Sequence, residues 1–85
     1  MTIQLIFLAR LRERFGVSRE VFALSPGIAT VSELLASLRD RGGAFAEELA
    51  PTRAFRVAVN QDVVALDHPV NAGDEVAIFP PVTGG

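Results

Sequence analysis

Residues 30–38 carry a complete helix signature. Thr30 and Glu33 have capping-box spacing, in which the hydroxyl of Thr30 accepts from the amide of Glu33 and the carboxylate of Glu33 accepts from that of Thr30. Val31, Leu34, Leu35 and Leu38 recur at i, i+3, i+4 and i+7, which makes one apolar stripe. Such a stripe has to be covered. With 85 residues the chain has a single domain in which to cover it. Gly42 and Gly43 predict the end of the helix. Ala44 to Leu49 predicts one further turn before Pro51.

Almost everything else reads as strand. From Thr2 to Ala9, Ile3, Leu5 and Phe7 alternate with Gln4, Ile6 and Leu8. Both sets are largely apolar, which predicts a central strand covered on two faces. Arg10 to Phe15 predicts a short helical turn closed by Gly16. Arg19 to Leu24 predicts a second strand that turns at Ser25-Pro26-Gly27. Phe55, Val57 and Val59 alternate with Arg56, Ala58 and Asn60 in a half-buried strand. Val63 to Leu66 follows after a turn at Asn60-Gln61-Asp62. Asn71-Ala72-Gly73-Asp74 predicts the turn into a final strand, Glu75 to Phe79. The order is ββαβββ. One helix packed across a mixed sheet of four to five strands is the economical α+β solution, a β-grasp or ubiquitin-like roll. Its first and last strands lie side by side in the centre. The expected division is therefore a domain over 1–79 and a tail over 80–85 that leaves from a rigid element.

Composition removes several function classes. The net charge of −2 and the pI near 5.2 argue against a nucleic-acid binder, which would show a basic stripe. There is no basic amphipathic helix for a membrane surface and no apolar run of spanning length. No secretory leader pattern opens the sequence, so a cytoplasmic location is expected. With no cysteine and one histidine, thiolate chemistry and histidine clusters are excluded, and no metal or bound cofactor is expected. His68 precedes Pro69 in a turn. Asp67, Asp74 and Glu75 flank turns, where Asp is common for local hydrogen bonds. Glu47 and Glu48 read as a solvated helix face. Gly42 and Gly43 lack the spacing and lysine of a phosphate loop. All eight basic residues are arginines, so Schiff-base chemistry and self-conjugation through a lysine side chain are excluded.

What remains is Phe79-Pro80-Pro81-Val82-Thr83-Gly84-Gly85. Pro80 and Pro81 stiffen the base of the tail toward an extended conformation. Gly84 and Gly85 lack Cβ atoms and can enter a slot too narrow for side chains. Six residues at roughly 3.3 Å each reach about 20 Å. The terminal carboxylate, ionised above about pH 3.7, is a poor electrophile. It can attack the α-phosphate of ATP on another enzyme, and a sulfur nucleophile can then displace AMP to leave a thiocarboxylate. The rival expectations are a thiamine-type or other sulfur carrier, a protein modifier that joins Gly85 to lysines elsewhere, and a β-grasp binding module with an incidental tail.

The residues resemble a known family, the small sulfur-carrier subunits of molybdopterin synthase. The likeness spans nearly the whole chain. It rests on Ala9-Arg10-Leu11-Arg12-Glu13 with Gly16, on Val59-Asn60-Gln61, on His68-Pro69, on Gly73-Asp74-Glu75-Val76-Ala77, and above all on the Phe-Pro-Pro-Val-Thr-Gly-Gly ending. The resemblance implies a cycle. An ATP-dependent activating enzyme adenylates Gly85, and a sulfur relay converts it to the thiocarboxylate. The tail, Pro80 to Gly85, then enters the active site of the large synthase subunit, where sulfur passes to cyclic pyranopterin monophosphate. It also implies a heterotetramer of two carriers on a dimer of large subunits, with the catalytic site on the large subunit. Phe79 matches an aromatic at the tail base that packs on partners, and Arg12 matches an interface position. Strand alternation groups Phe79 with Ala77 and leaves open which face the pair occupies. Leu8 stands where some members have an aromatic and takes no role from the resemblance.

Overall fold

The computed structural model describes residues 1–81. Its elements run β1 (Thr2–Phe7), α1 (Arg10–Phe15), β2 (Arg19–Ala23), α2 (Val31–Arg39), α3 (Gly43–Glu48), β3 (Arg56–Val59), β4 (Asp62–Val64) and β5 (Glu75–Phe79). The five strands form one sheet in the order β2-β1-β5-β3-β4. β1 and β5 are parallel, and the other neighbours are antiparallel. This is the β-grasp roll expected from the sequence, with β5 in the middle of the sheet.

α2 starts as its cap requires. Thr30 Oγ1 accepts from the amide of Glu33 at 3.3 Å, and Glu33 Oε1 accepts from the amides of Thr30 and Ala29 at 3.0 and 2.9 Å. Val31, Leu34, Leu35 and Leu38 are buried against Ile3, Leu5, Phe7, Val57, Val59, Val76 and Ile78. Burial of each such side chain stabilises the fold by about 1.5–3 kcal/mol. The helix ends at Arg39, earlier than the glycines suggest, with Asp40 as its C-cap. Gly42 instead caps the start of α3, with φ of 77°, a conformation glycine adopts without a Cβ penalty. Asn60 and Gln61 both have positive φ, 51° and 74°. They form a two-residue hairpin turn of the type whose twist matches the flanking strands.

Two sequence expectations need correction. The second face of β1 is not covered among the described residues: Gln4 and Leu8 are exposed and Ile6 is half-buried. The buried apolar residues of α1 and α2, Leu11, Val31, Leu34, Leu35 and Leu38, all join the single core on the other face, so among the described residues none covers a second one. Glu48 is also not part of a solvated face. It is 4% exposed, because three arginine side chains close over it. Glu47, its neighbour, is exposed as expected.

Candidate functional site: the base of the C-terminal tail

The end of β5 is held from both sides. Ile78 pairs with Phe7 on β1 and with Val57 on β3, and Phe79 lies opposite Arg56. Leu8 donates its amide to the carbonyl of Ile78 at 3.2 Å. The tail therefore starts from a strand whose last rungs are clamped by two neighbours. Pro80 and Pro81 follow, both half-buried. Beside Pro81 a groove of about 820 Å³ opens between α2 and β4, with Leu35, Arg39, Phe55 and Leu66 in its walls. Val82, Thr83, Gly84 and Gly85 lie outside the described residues.

The face of Phe79 is now fixed. Val76 and Ile78 point into the core, so Glu75, Ala77 and Phe79 lie on the opposite, helix-free face. Register then aligns an almost wholly small or apolar row across the sheet there. Arg19 pairs with Ile6, Ile6 with Ala77, Ala77 with Ala58, and Ala58 with Val63. Phe79 and exposed Leu8 sit one row nearer the tail. The row contains apolar groups a monomer leaves in water, such as Val63 at 65% exposure. It is continuous with the base of the tail.

Next to that base stands α1. Ala9 takes φ 52° and ψ −129° at the junction, which turns the chain sharply off β1. Gly16 closes the helix in the left-handed conformation, its amide donating to the carbonyl of Arg12 at 3.0 Å. Leu11 is buried, while Arg12 is exposed. Arg12 thus lies on the solvent side of the helix beside the end of β5.

An arginine cluster escaped the sequence reading. Arg14 Nε donates to Glu48 Oε2 at 3.2 Å and Arg53 Nη2 to the same oxygen at 3.0 Å. Arg10 Nε lies 3.2 Å from Glu48 Oε1 as an ion contact without hydrogen-bond alignment, which leaves that oxygen without a hydrogen-bond donor. Arg14 Nη2 also reaches Glu47 at 2.7 Å. Burial would push the Glu48 carboxyl up, but the bonds from Arg53 and Arg14 and the nearby positive charges outweigh it and hold it below its ordinary value. Arg10 and Arg14 are spaced i, i+4, which signals a shared face of α1. Nothing local in the sequence signals Glu48 as their partner, 34 residues beyond Arg14.

The residues weighed for chemistry within the domain take structural roles. The carbonyl of His68 accepts from Val31 at 3.0 Å, and its amide donates to Ala65 at 3.1 Å, a turn. Asp74 accepts from the amide of Asn71 at 2.8 Å. Asn60 accepts from the amide of Glu75 and donates to Asp74, both at 3.0 Å. No group of three or more metal-ligating side chains occurs among the described residues.

Comparison with known proteins follows the same geometry. The model of the ThiS family matches residues 5–85. A molybdopterin synthase sulfur carrier subunit of Escherichia coli (strain K12) is 40% identical over 84 residues, covering 98% of this chain and 99% of that protein. A putative molybdopterin converting factor, subunit 1, of Pyrococcus furiosus superposes with a TM-score of 0.80 at 31% identity, covering 96% of this chain and 99% of the other. SAMP1 of Haloferax volcanii superposes with a TM-score of 0.79 at 29% identity, with both chains fully covered. A β-grasp sheet with the tail-bearing strand at its centre, matched over nearly its whole length by these relatives, places this chain in the ThiS family.

Proposed function

We propose that this chain is the sulfur carrier of a molybdopterin synthase, and that its working group is the carboxylate of Gly85. The observation that carries this reading is the 40% identity to a molybdopterin synthase sulfur carrier subunit along essentially the whole of both chains. The fold supports it. A central strand clamped on both sides gives residues 80–85 a fixed point of departure, and the apolar row beside it offers a partner something to grip. In the proposed cycle a carboxylate oxygen of Gly85 attacks the α-phosphorus of ATP on an activating enzyme, with pyrophosphate leaving. Hydrosulfide attacks the carbonyl carbon of the resulting acyl-adenylate, AMP leaves with the bonding pair, and loss of the S–H proton leaves the thiocarboxylate. The thiocarboxylate then enters the large synthase subunit, which holds cyclic pyranopterin monophosphate and supplies the catalytic groups. This chain supplies sulfur and binding surface. The proposed setting is the cytoplasm, in a heterotetramer of two carriers on a dimer of large subunits.

The test is intact mass after incubation with ATP, a sulfide donor and the purified activating enzyme. The expected product is heavier by the difference between one sulfur and one oxygen. An unchanged mass with an enzyme competent on its own carrier would overturn the reading. The likeness to SAMP1 of Haloferax volcanii, a small archaeal modifier protein seen in two structures at 29 and 30% identity, favours a second reading, conjugation to lysines of other proteins. That reading predicts covalent adducts of protein size in the same experiment.

A further inference from the structure

The net charge of −2 conceals a dipole. Around the end of β5 stand Arg10, Arg12 and Arg14 of α1, Arg53 of the loop before β3, and Arg56 opposite Phe79. Against these five side chains stand Glu13, Glu47 and Glu48, which leaves two positive charges in surplus. Arg39 and Asp40 cancel at the end of α2, and Arg41 is paired with Glu20. The remaining acids, Glu33, Asp62, Asp67, Asp74 and Glu75, meet one arginine, Arg19, which lies 4.0 Å from Glu75. Asp62, Asp74 and Glu75 gather at the two turns at the far end of the sheet. Glu33 and Asp67 adjoin Ser32 and Leu66 in the wall of the groove beside Pro81, while Asp62, Asp74 and Glu75 against Arg19 leave two negative charges in surplus at the far end.

The basic pole is also held in place. Glu48, at 4% exposure, takes no part in the apolar core and spends its carboxylate on Arg10, Arg14 and Arg53. These arginines remain 52, 43 and 46% exposed. Each guanidinium has five N–H donors in a fixed fork, so donors remain for a partner after Glu48 is satisfied. One buried carboxylate thus fixes three half-exposed cations, from two separate segments, on the surface beside the tail. A surface fixed in this way loses less side-chain freedom on docking.

We propose that this arginine pole is a docking surface for an acidic rim around the tail-entry site of the activating enzyme, an inference that rests on the sulfur-carrier reading. The occupant is a compact acidic protein surface. An extended polyanion such as nucleic acid or an anionic membrane would also meet the acids beside the groove and at the far end of the sheet. In the proposed cycle the activating enzyme binds the unloaded carrier and must release it once it is loaded. Charge complementarity serves that need, because it raises the encounter rate more than it lengthens the complex's life.

Stopped-flow association of the full-length carrier with the purified activating enzyme tests this. Salt is raised from about 0.01 M to about 1 M, over which the screening length falls from about 30 to about 3 Å. The association rate should fall about tenfold or more, with little change in dissociation. The R10Q/R14Q/R53Q variant should lose about tenfold in rate at low salt and flatten the salt dependence. A wild-type rate that changes less than about twofold over this range overturns the inference. So does a variant, folded by circular dichroism, that keeps the wild-type rate. If the variant does not fold, the wild-type salt series decides. If the carrier gains sulfur while the salt series is flat, the docking surface falls and the carrier reading stands. If no association occurs at any salt concentration, both fall.

Discussion

Phe79 lies directly opposite Arg56 on the β3–β5 ladder, on the face of the sheet that no helix covers. The pair closes the β3–β5 ladder at the last residue of β5. An aromatic ring here is half-buried by its neighbours and takes no part in the core cluster. Phe79→Ala should therefore leave the fold intact and weaken binding to the large subunit and the activating enzyme. Anchors of this kind contribute about 2 kcal/mol or more. Titration calorimetry reads the affinities and circular dichroism the fold. A folded variant with unchanged affinity for both partners would remove Phe79 from the interface.

Length should matter at Gly85 as much as identity does. One alanine appended after it displaces the carboxylate by about 3.3–3.6 Å from any fixed catalytic pocket. Misplacement on that scale can cost about 10²-fold. Reconstituted sulfur transfer should collapse for the appended chain and for the chain lacking Gly85. Normal turnover by either would contradict the proposed role of the terminal carboxylate.

Glu48 predicts an acid-sensitive contribution to stability. Its carboxyl is held below its ordinary value of 4.5, so between the two values the unfolded chain binds more protons than the folded one. The stabilisation is fully present above about pH 4.5 and disappears as pH falls through the lower, folded-state value. Glu20, held down first by hydrogen bonds from Arg41, has the same sign. Glu48→Gln should cost about 1–2 kcal/mol at pH 7, less than a fully buried pair because its arginines are half in water. Urea unfolding should show the gap between variant and wild type narrowing as pH falls below about 4.5. A gap that persists there would assign the effect to shape instead of charge.

Ala9 carries backbone strain at the β1–α1 junction, since φ 52° with ψ −129° is a region that disfavours a Cβ. Such a residue costs about 1–3 kcal/mol. Glycine would relieve that cost and give back about 0.4–1 kcal/mol of unfolded-chain entropy. Ala9→Gly should therefore stabilise the domain by about 1 kcal/mol, read as a raised urea midpoint with unchanged slope. A destabilised variant would show that the methyl group makes a packing contribution larger than the strain.

The α2 cap offers a local check. Thr30→Ala removes the hydroxyl that accepts from Glu33 and should cost about 1 kcal/mol. Ser in its place should recover most of that loss.

The cap and stripe of α2 were legible in the sequence because both signals lie within nine consecutive residues. The central position of β5 was legible too, since one helix and several strands leave few ways to close a sheet. The face of Phe79 was not. Val76, Ala77, Ile78 and Phe79 are all apolar, so alternation separated two sets without saying which set α2 would cover. Glu48 misled for a different reason. Side by side, Glu47 and Glu48 look alike. Their difference comes from α1 and the 51–54 loop, brought alongside α3 only by the completed fold. The outer face of β1 misled because apolar content was read as cover, whereas no element among the described residues supplies it.

The parallel pairing of β5 with β1, and its antiparallel pairing with β3, has a mechanical consequence. A pull on the tail runs along the strand axis. The hydrogen bonds on both flanks of β5 lie across that axis, so they are loaded together in shear and cannot be peeled open one at a time. Withdrawing the tail from a deep, close-fitting site therefore draws on the strongest direction of the sheet. The grip of the partner should yield before the carrier does, and the same molecule can be extracted whole and loaded again.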